Sequence, residues 1–113
     1  MTDTDKLKPA YAALDDCDAA LEELDSLCCR PERSPRMAAL AETLAATRAG
    51  LDRVGDDHHG ADETLAHIED AGAQIGWLQV GCCAPARLPL YRTLLEGLTV
   101  TQRSLARATG GGH

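Results

Sequence analysis

Two pairs of adjacent cysteines are the residues in this chain best suited to chemistry. Cys28 and Cys29 open the pattern C-C-x-P-x-R-x-P, and Cys82 and Cys83 open the same pattern 54 positions later. Thiolates are soft ligands for iron–sulfur clusters, zinc and copper(I), and thiols also form disulfides or take part in exchange reactions. Because the pattern occurs twice, we expect both pairs to serve one function.

The likeness between the two halves of the chain extends beyond the cysteines. From Cys28 to Leu51, ten of the 24 residues are identical to the residue found 54 positions later. An internal repeat constrains the architecture, because each copy is one supersecondary unit. We therefore expect a single domain, 1–113, built from two copies of a helical hairpin at about 5–54 and 61–109.

Apolar residues spaced three and four apart predict four helices. The composition agrees: Phe is absent, and one Trp and two Tyr are fewer aromatic residues than a sheet would favour. We expect helices over about 5–28, 35–54 and 61–82, a loop over 55–60, and a fourth helix from near Pro89. Short connections would make sequential helices antiparallel. The predicted fold is therefore all-α, an antiparallel up-down-up-down four-helix bundle from two tandem hairpins with pseudo-two-fold symmetry.

In such a bundle the first and third helices run in the same direction and end at the cysteines. We therefore predict a metal centre held by Cys28, Cys29, Cys82 and Cys83 at one end of the bundle. Neighbouring side chains on a helix diverge by about 100°, and zinc sites usually separate paired cysteines by about two to four residues. An iron–sulfur cluster is wider than one ion, so it fits this spacing best, with zinc or copper(I) as alternatives.

Charged and rigid residues follow the cysteines in both copies. Arg33 and Arg87 recur at equivalent positions, and their positive charges would stabilise nearby thiolates. Ser34 is the expected N-cap of the second helix. The prolines that recur are expected to fix the turns that present the thiols, and they are Pro31, Pro35, Pro85 and Pro89.

Two other interpretations of the cysteine pairs stay open. The pairs could belong to a structural or interaction bundle that holds no metal. They would form disulfides between helices if the compartment is oxidising, or otherwise pack as small apolar side chains. Alternatively, thiolates beside the arginines could act as nucleophiles in a thiol redox protein. Cys17 is a separate case. Its counterpart in the second copy is Ala71, so we expect Cys17 to pack as a small core residue.

Other polar residues carry weaker signals. The run Asp-Asp-His-His at 56–59 contains metal-ligand residue types, but it lies far from the cysteines and is expected to be a solvated turn. Glu63 and His67 are four residues apart, yet the chain lacks the further inward-facing carboxylates that a di-iron site needs.

The third and fourth helices have more apolar residues than a single buried stripe on each helix requires. They predict a homodimer formed through these two helices, or a broader core face. These residues are Trp77, Leu88, Leu90, Leu95 and Val100.

Charge and composition limit the classes of function. A net charge of −7 argues against nucleic acid as a partner. The polar start of the chain and the lack of a long apolar run argue against a signal peptide or a membrane span, so we expect a cytoplasmic protein. Catalytic triads, phosphate loops and cofactor fingerprints are absent from the sequence. We therefore expect a small, non-enzymatic metal- or iron–sulfur-binding protein for electron transfer, redox sensing or metal handling, with a redox protein as candidate partner.

Overall fold

Four helices make up the protein in a computed structural model that describes residues 3–27, 35–57, 60–81 and 84–109. They are α1 (Asp3–Leu27), α2 (Pro35–Asp57), α3 (Ala61–Gly81) and α4 (Ala84–Ala108). The described residues contain no strand. The all-helical prediction is confirmed, and four helices are compatible with a four-helix bundle.

Two helix boundaries differ from the prediction. α2 continues to Asp57 instead of ending at about Val54, so it takes up part of the expected loop. α4 begins at Ala84, five residues before the expected start at Pro89. Pro89 therefore lies inside a helix and does not form part of a turn.

The early start of α4 has a physical explanation in the second copy of the repeat. In the first copy Ser34 can cap the helix that begins at Pro35, whereas the equivalent residue in the second copy is Leu88, which cannot cap. Pro85 lies in the first turn of α4, where a backbone N–H has no intrahelical partner to lose. Pro89 is the sixth residue of α4, where proline removes one intrahelical hydrogen bond.

The core is formed by apolar residues from all four helices. α3 begins after Gly60, whose φ of 83° is a left-handed conformation that favours glycine. The buried threonines Thr47 and Thr101 donate their hydroxyls to the carbonyls four residues back, at 2.9 and 2.8 Å. The apolar residues with no measurable exposure are Leu7, Ala10, Leu14, Cys17, Leu40, Leu51, Val54, Ala71, Ile75 and Leu94.

Two glycines allow close packing between helices of different repeats. A Cβ on Gly97 of α4 would lie 2.4 Å from the Sγ atom of Cys17 in α1. A Cβ on Gly50 of α2 would lie 2.2 Å from the Oγ1 atom of Thr64 in α3. Real Cβ atoms do not approach other atoms so closely. The packing of α1 against α4 and of α2 against α3 therefore requires glycine at these two positions.

The helices form a closed ring of neighbours. α1 contacts α2 and α4, and α3 also contacts α2 and α4. Across the ring α2 approaches α4, whereas α1 and α3 make no such approach within the part of the chain that the structure describes. The molecule measures 45 × 21 × 18 Å. None of the described helices combines the length and apolar character that crossing a membrane requires.

Candidate metal centre

The predicted metal ligands fall outside the described residues. Cys28 and Cys29 follow the last residue of α1, while Cys82 and Cys83 are the two residues between α3 and α4. Arg33 also lies outside the described residues. Arg87 belongs to α4, but its side chain is not among those described. The metal centre and its flanking charges therefore stay predictions, and the helices that lead to them supply the structural evidence.

The first turn of α2 lies beside the last turns of both α1 and α3. Met37 of α2 lines a cavity of about 280 Å³ together with Leu21 and Asp25 of α1. Arg36, one residue earlier, donates a hydrogen bond from Nη1 to the carbonyl oxygen of Trp77 in α3, at 3.3 Å. Residues near the C-terminal ends of α1 and α3 are thus linked through the first turn of α2.

A hydrogen bond links α3 and α4 close to the connection between them. Tyr91 of α4 is buried and donates its hydroxyl to the carbonyl oxygen of Leu78 in α3, at 3.1 Å. Only two residues, Cys82 and Cys83, separate Gly81 from Ala84. Seven residues, 28–34, separate α1 from α2. The two cysteine pairs therefore sit in connections of very different length.

The helices that lead to the two cysteine pairs, α1 and α3, lie opposite each other in the ring. Neighbouring helices pack about 8–10 Å apart, and α2 approaches α4 across the ring, so α1 and α3 are farther apart than the roughly 11–14 Å diagonal of a square arrangement.

Charges around this end of the molecule are mixed. Arg36 is exposed and its guanidinium carbon lies 5.4 Å from the centre of the Trp77 indole ring. The cavity beside Met37 is also lined by three carboxylate residues, Asp18, Glu22 and Asp25. Positive charge stabilises thiolates and negative charge opposes them. The sequence predicts these carboxylates only as part of a solvated acidic face of the first helix; the cavity that they share with Met37 of α2 forms in the folded chain.

Cys17 has the structural role expected of it. Its side chain is fully buried, and its Sγ atom donates to the carbonyl oxygen of Leu94 at 3.6 Å. Burial, and then the charges of Asp18 and Asp16, raise the pKa of the Cys17 thiol to about 12. A protonated buried thiol is neither a good nucleophile nor a good metal ligand.

The described residues contain no group of three or more His, Cys, Asp or Glu side chains that could hold a metal ion. Glu63 forms an ion pair with Arg53 at 3.4 Å, which places it toward α2. His58 and His59 lie outside the described residues, and Asp56 is exposed.

One small cavity joins residues that the sequence could not connect. It has a volume of about 230 Å³ and lies between α2 and α3, lined by Arg36, Ala39, Gln74 and Trp77. The Oε1 atom of Gln74 is buried and accepts no hydrogen bond. Trp77 is 61% exposed. The only sequence signal for this cavity was Trp77, which stood out as surplus apolar surface.

A tyrosine near the start of α1 is hydrogen-bonded and not poised for proton transfer. Tyr11 donates its hydroxyl to Asp52 of α2. Burial, followed by the neighbouring Asp52 carboxylate, raises the pKa of Tyr11 well above its ordinary value. The residue links α1 to α2 and has no sign of an acid–base role.

Comparisons with known proteins identify no relative of this chain. The chain matches no protein-family model, and neither curated proteins nor solved structures give a match. The candidate function therefore has to be argued from the chain itself.

Proposed function

We propose that this protein binds a metal or iron–sulfur centre through Cys28, Cys29, Cys82 and Cys83. The centre lies at one end of the helices and serves electron transfer, redox sensing or metal handling. Four thiolates at one place are a soft, anionic ligand set that suits such a centre. The proposal requires that the cysteines stay reduced, as in the cytoplasm.

One observation carries the proposal. The first turn of α2 contacts Trp77 near the end of α3 through Arg36, and Met37 shares a cavity with Asp25 near the end of α1. The two helices that lead into the cysteine pairs therefore end close to the same turn. This supports the convergence of the pairs, which the repeat alone suggested.

The same reasoning supports the finer architecture that we propose, an antiparallel up-down-up-down bundle with pseudo-two-fold symmetry. Early residues of α1 meet late residues of α2, as in the contact of Tyr11 with Asp52. Arg48 of α2 pairs with Asp15 of α1 at 2.9 Å. The close α1–α4 and α2–α3 contacts are equivalent under exchange of the two repeats, which supports the symmetry.

The unequal connections suggest how the centre would form. The second pair is confined because α3 and α4 are held together by the Tyr91–Leu78 hydrogen bond. Seven residues can span up to about 25 Å when extended, far more than the roughly 10 Å between neighbouring helices. In our proposal the first pair adapts to the position of the second.

Anaerobic purification followed by elemental analysis tests the proposal. We expect bound iron with acid-labile sulfide and visible absorption, or else zinc or copper in a constant ratio to protein. A variant with all four paired cysteines replaced by serine should lose this metal. Cys17→Ala is the matched control, because the Cys17 thiol is buried away from the helix ends and should leave the metal content unchanged.

Three results would contradict the proposal. The first is protein that stays metal-free after supply of Zn²⁺, Cu(I) and iron with sulfide, while all four paired thiols react freely. The second is protein isolated under reducing conditions with two disulfides, which would favour the structural interpretation. The third is one paired cysteine that reacts far faster than the other three, which would favour thiol redox chemistry.

A further inference from the structure

We propose that two copies of this chain associate through the outer face of α3 and α4, with α3 of one copy against α4 of the other. The surface, here called the α3–α4 face, contains Glu69, Gly72 and Gly76 of α3 and Leu88, Leu95 and Arg103 of α4. This inference concerns an interaction surface and does not depend on the proposed metal centre.

The α4 part of this face is apolar and exposed. Leu88 is 55% exposed and Leu95 is 40% exposed. They are seven residues apart and so lie on one side of the helix. Each precedes by three positions a residue that contacts α3, namely Tyr91 and Leu98. Leu88 and Leu95 therefore flank the groove between α4 and α3.

The α3 part of the face has two glycines, which leave room for a leucine side chain. Glu69, Gly72 and Gly76 are spaced three and four apart, so they form one row. A Cβ on Gly76 would meet no atom within 4 Å, and one on Gly72 would meet only Leu98 at 4.0 Å. An exposed leucine from a second copy would find space over these glycines.

The charges on α3 and α4 favour one arrangement of two such faces. α3 carries Asp62, Glu63, Glu69 and Asp70 without any Lys or Arg, whereas α4 carries four Arg and a single acidic residue. Placing α3 on α3 would oppose like charges. Placing α3 on the α4 of a second copy would bring opposite charges together, which favours this arrangement.

The helix register gives specific pairs. The hydrogen bond between Leu78 and Tyr91, and the nearness of Leu98 to a Cβ built on Gly72, put Glu69 within about one turn of Arg103 along the molecule. Rotation about a two-fold axis parallel to the helices does not change the position of a residue along that axis. Glu69 of each copy therefore meets Arg103 of the other, which gives two ion pairs. Among the described residues, neither Glu69 nor Arg103 has an ion pair within its own chain.

The face is large enough for a stable dimer. Two helices of about 23 residues cover a face roughly 35 Å long and 20 Å wide, or about 700 Å². Standard protein interfaces bury about 800 Å² per partner. With the axis parallel to the helices, the cysteine-bearing ends of the two copies lie side by side.

Sedimentation equilibrium of the full chain, with reductant and chelator present, tests the inference. Glu69→Arg should weaken dimerisation roughly tenfold, since two ion pairs become two repulsions. Arg103→Glu should do the same, and the double variant should restore the parent affinity to within about threefold. Glu42→Arg makes the same charge change on an exposed position of α2 and should have no such effect.

A photo-crosslinker in place of Leu95 tests the arrangement. In a mixture of light and heavy isotope-labelled protein, mixed crosslinks should reach residues 72–76 of the other copy. The inference would be overturned by any of three results. These are a protein that is monomeric at about 100 μM, a double variant that does not regain the parent affinity, and crosslinks that reach α4 of the other copy. The variant with four serines should still dimerise, so failure of the metal proposal and failure of this one give different results.

Discussion

Replacing Gly97 by alanine tests the closest contact in the protein, between α4 and α1. The added Cβ would lie 2.4 Å from the Cys17 Sγ atom and 3.1 Å from the carbonyl oxygen of Ala13. The sulfur is fully buried, and the carbonyl oxygen belongs to helix backbone, so neither can move aside without shifting α1. We expect Gly97→Ala to destabilise the protein.

The magnitude follows from two opposing effects. Forcing an extra carbon into a packed core costs about 1–3 kcal/mol, and this contact is severe enough to lie at the upper end. Replacing glycine by alanine inside a helix stabilises by about 0.5–1 kcal/mol. The expected net loss in the free energy of unfolding is therefore about 2 kcal/mol.

Urea unfolding followed by far-ultraviolet circular dichroism measures this loss. Gly76→Ala is the matched control, because its Cβ would meet no atom within 4 Å and only the helix preference should act. We expect this control to gain about 0.5–1 kcal/mol. Measurements at two protein concentrations separate folding from association, since Gly76 belongs to the α3–α4 face.

A second substitution shows whether the sulfur causes the loss. Cys17→Ala removes the atom that lies nearest to the new Cβ, so Gly97→Ala should cost at least about 1 kcal/mol less in that background. If Gly97→Ala were as stable as Gly76→Ala, or if its cost were the same with and without Cys17, α1 and α4 would not be packed as described.

Three further predictions follow from single contacts. Gly50→Ala should lower the free energy of unfolding by about 2 kcal/mol in urea unfolding, because its Cβ would lie 2.2 Å from Thr64 Oγ1; an unchanged midpoint would contradict the α2–α3 packing. Because the folded pKa of Cys17 is raised to about 12, its contribution to stability is complete below pH 8 and falls as the pH rises toward 12. The parent should therefore lose about 1.4 kcal/mol relative to Cys17→Ala between pH 7.5 and 9.5, and parallel curves would refute the raised pKa. Gly60→Ala should cost about 1 kcal/mol in the same assay, because φ is 83° there and the Cβ would lie 3.3 Å from Arg53 Nε; a gain in stability would contradict the left-handed conformation.

The helices could be predicted because the apolar spacing along the chain follows the helical period. Leu7, Leu14 and Leu21 are seven residues apart, and all three are buried. The predicted seam of α2, which includes Leu44 and Leu51, is buried too. These positions depend on local periodicity alone, so the sequence contains enough information to place them.

Features that depend on contacts between helices could not be predicted in the same way. The close contacts at Gly50 and Gly97 are examples, because their partners Thr64 and Cys17 lie in other helices. The start of α4 was predicted wrongly because the repeat suggested equivalence with Pro35. The first copy has a serine, a residue type that can cap a helix, where the second copy has a leucine, so the two starts need not be equivalent.

The glycine contacts also explain why the two repeats form one unit. Both join helices of different repeats, α1 to α4 and α2 to α3. A single hairpin would leave the apolar side of each of its helices without this close partner, so its core would be incomplete. The packing between repeats, more than either connection, therefore determines how the ends of α1 and α3 lie relative to each other. In the proposed metal centre, changes at Gly50 or Gly97 would move one cysteine pair relative to the other, although both glycines are distant from the cysteines in sequence.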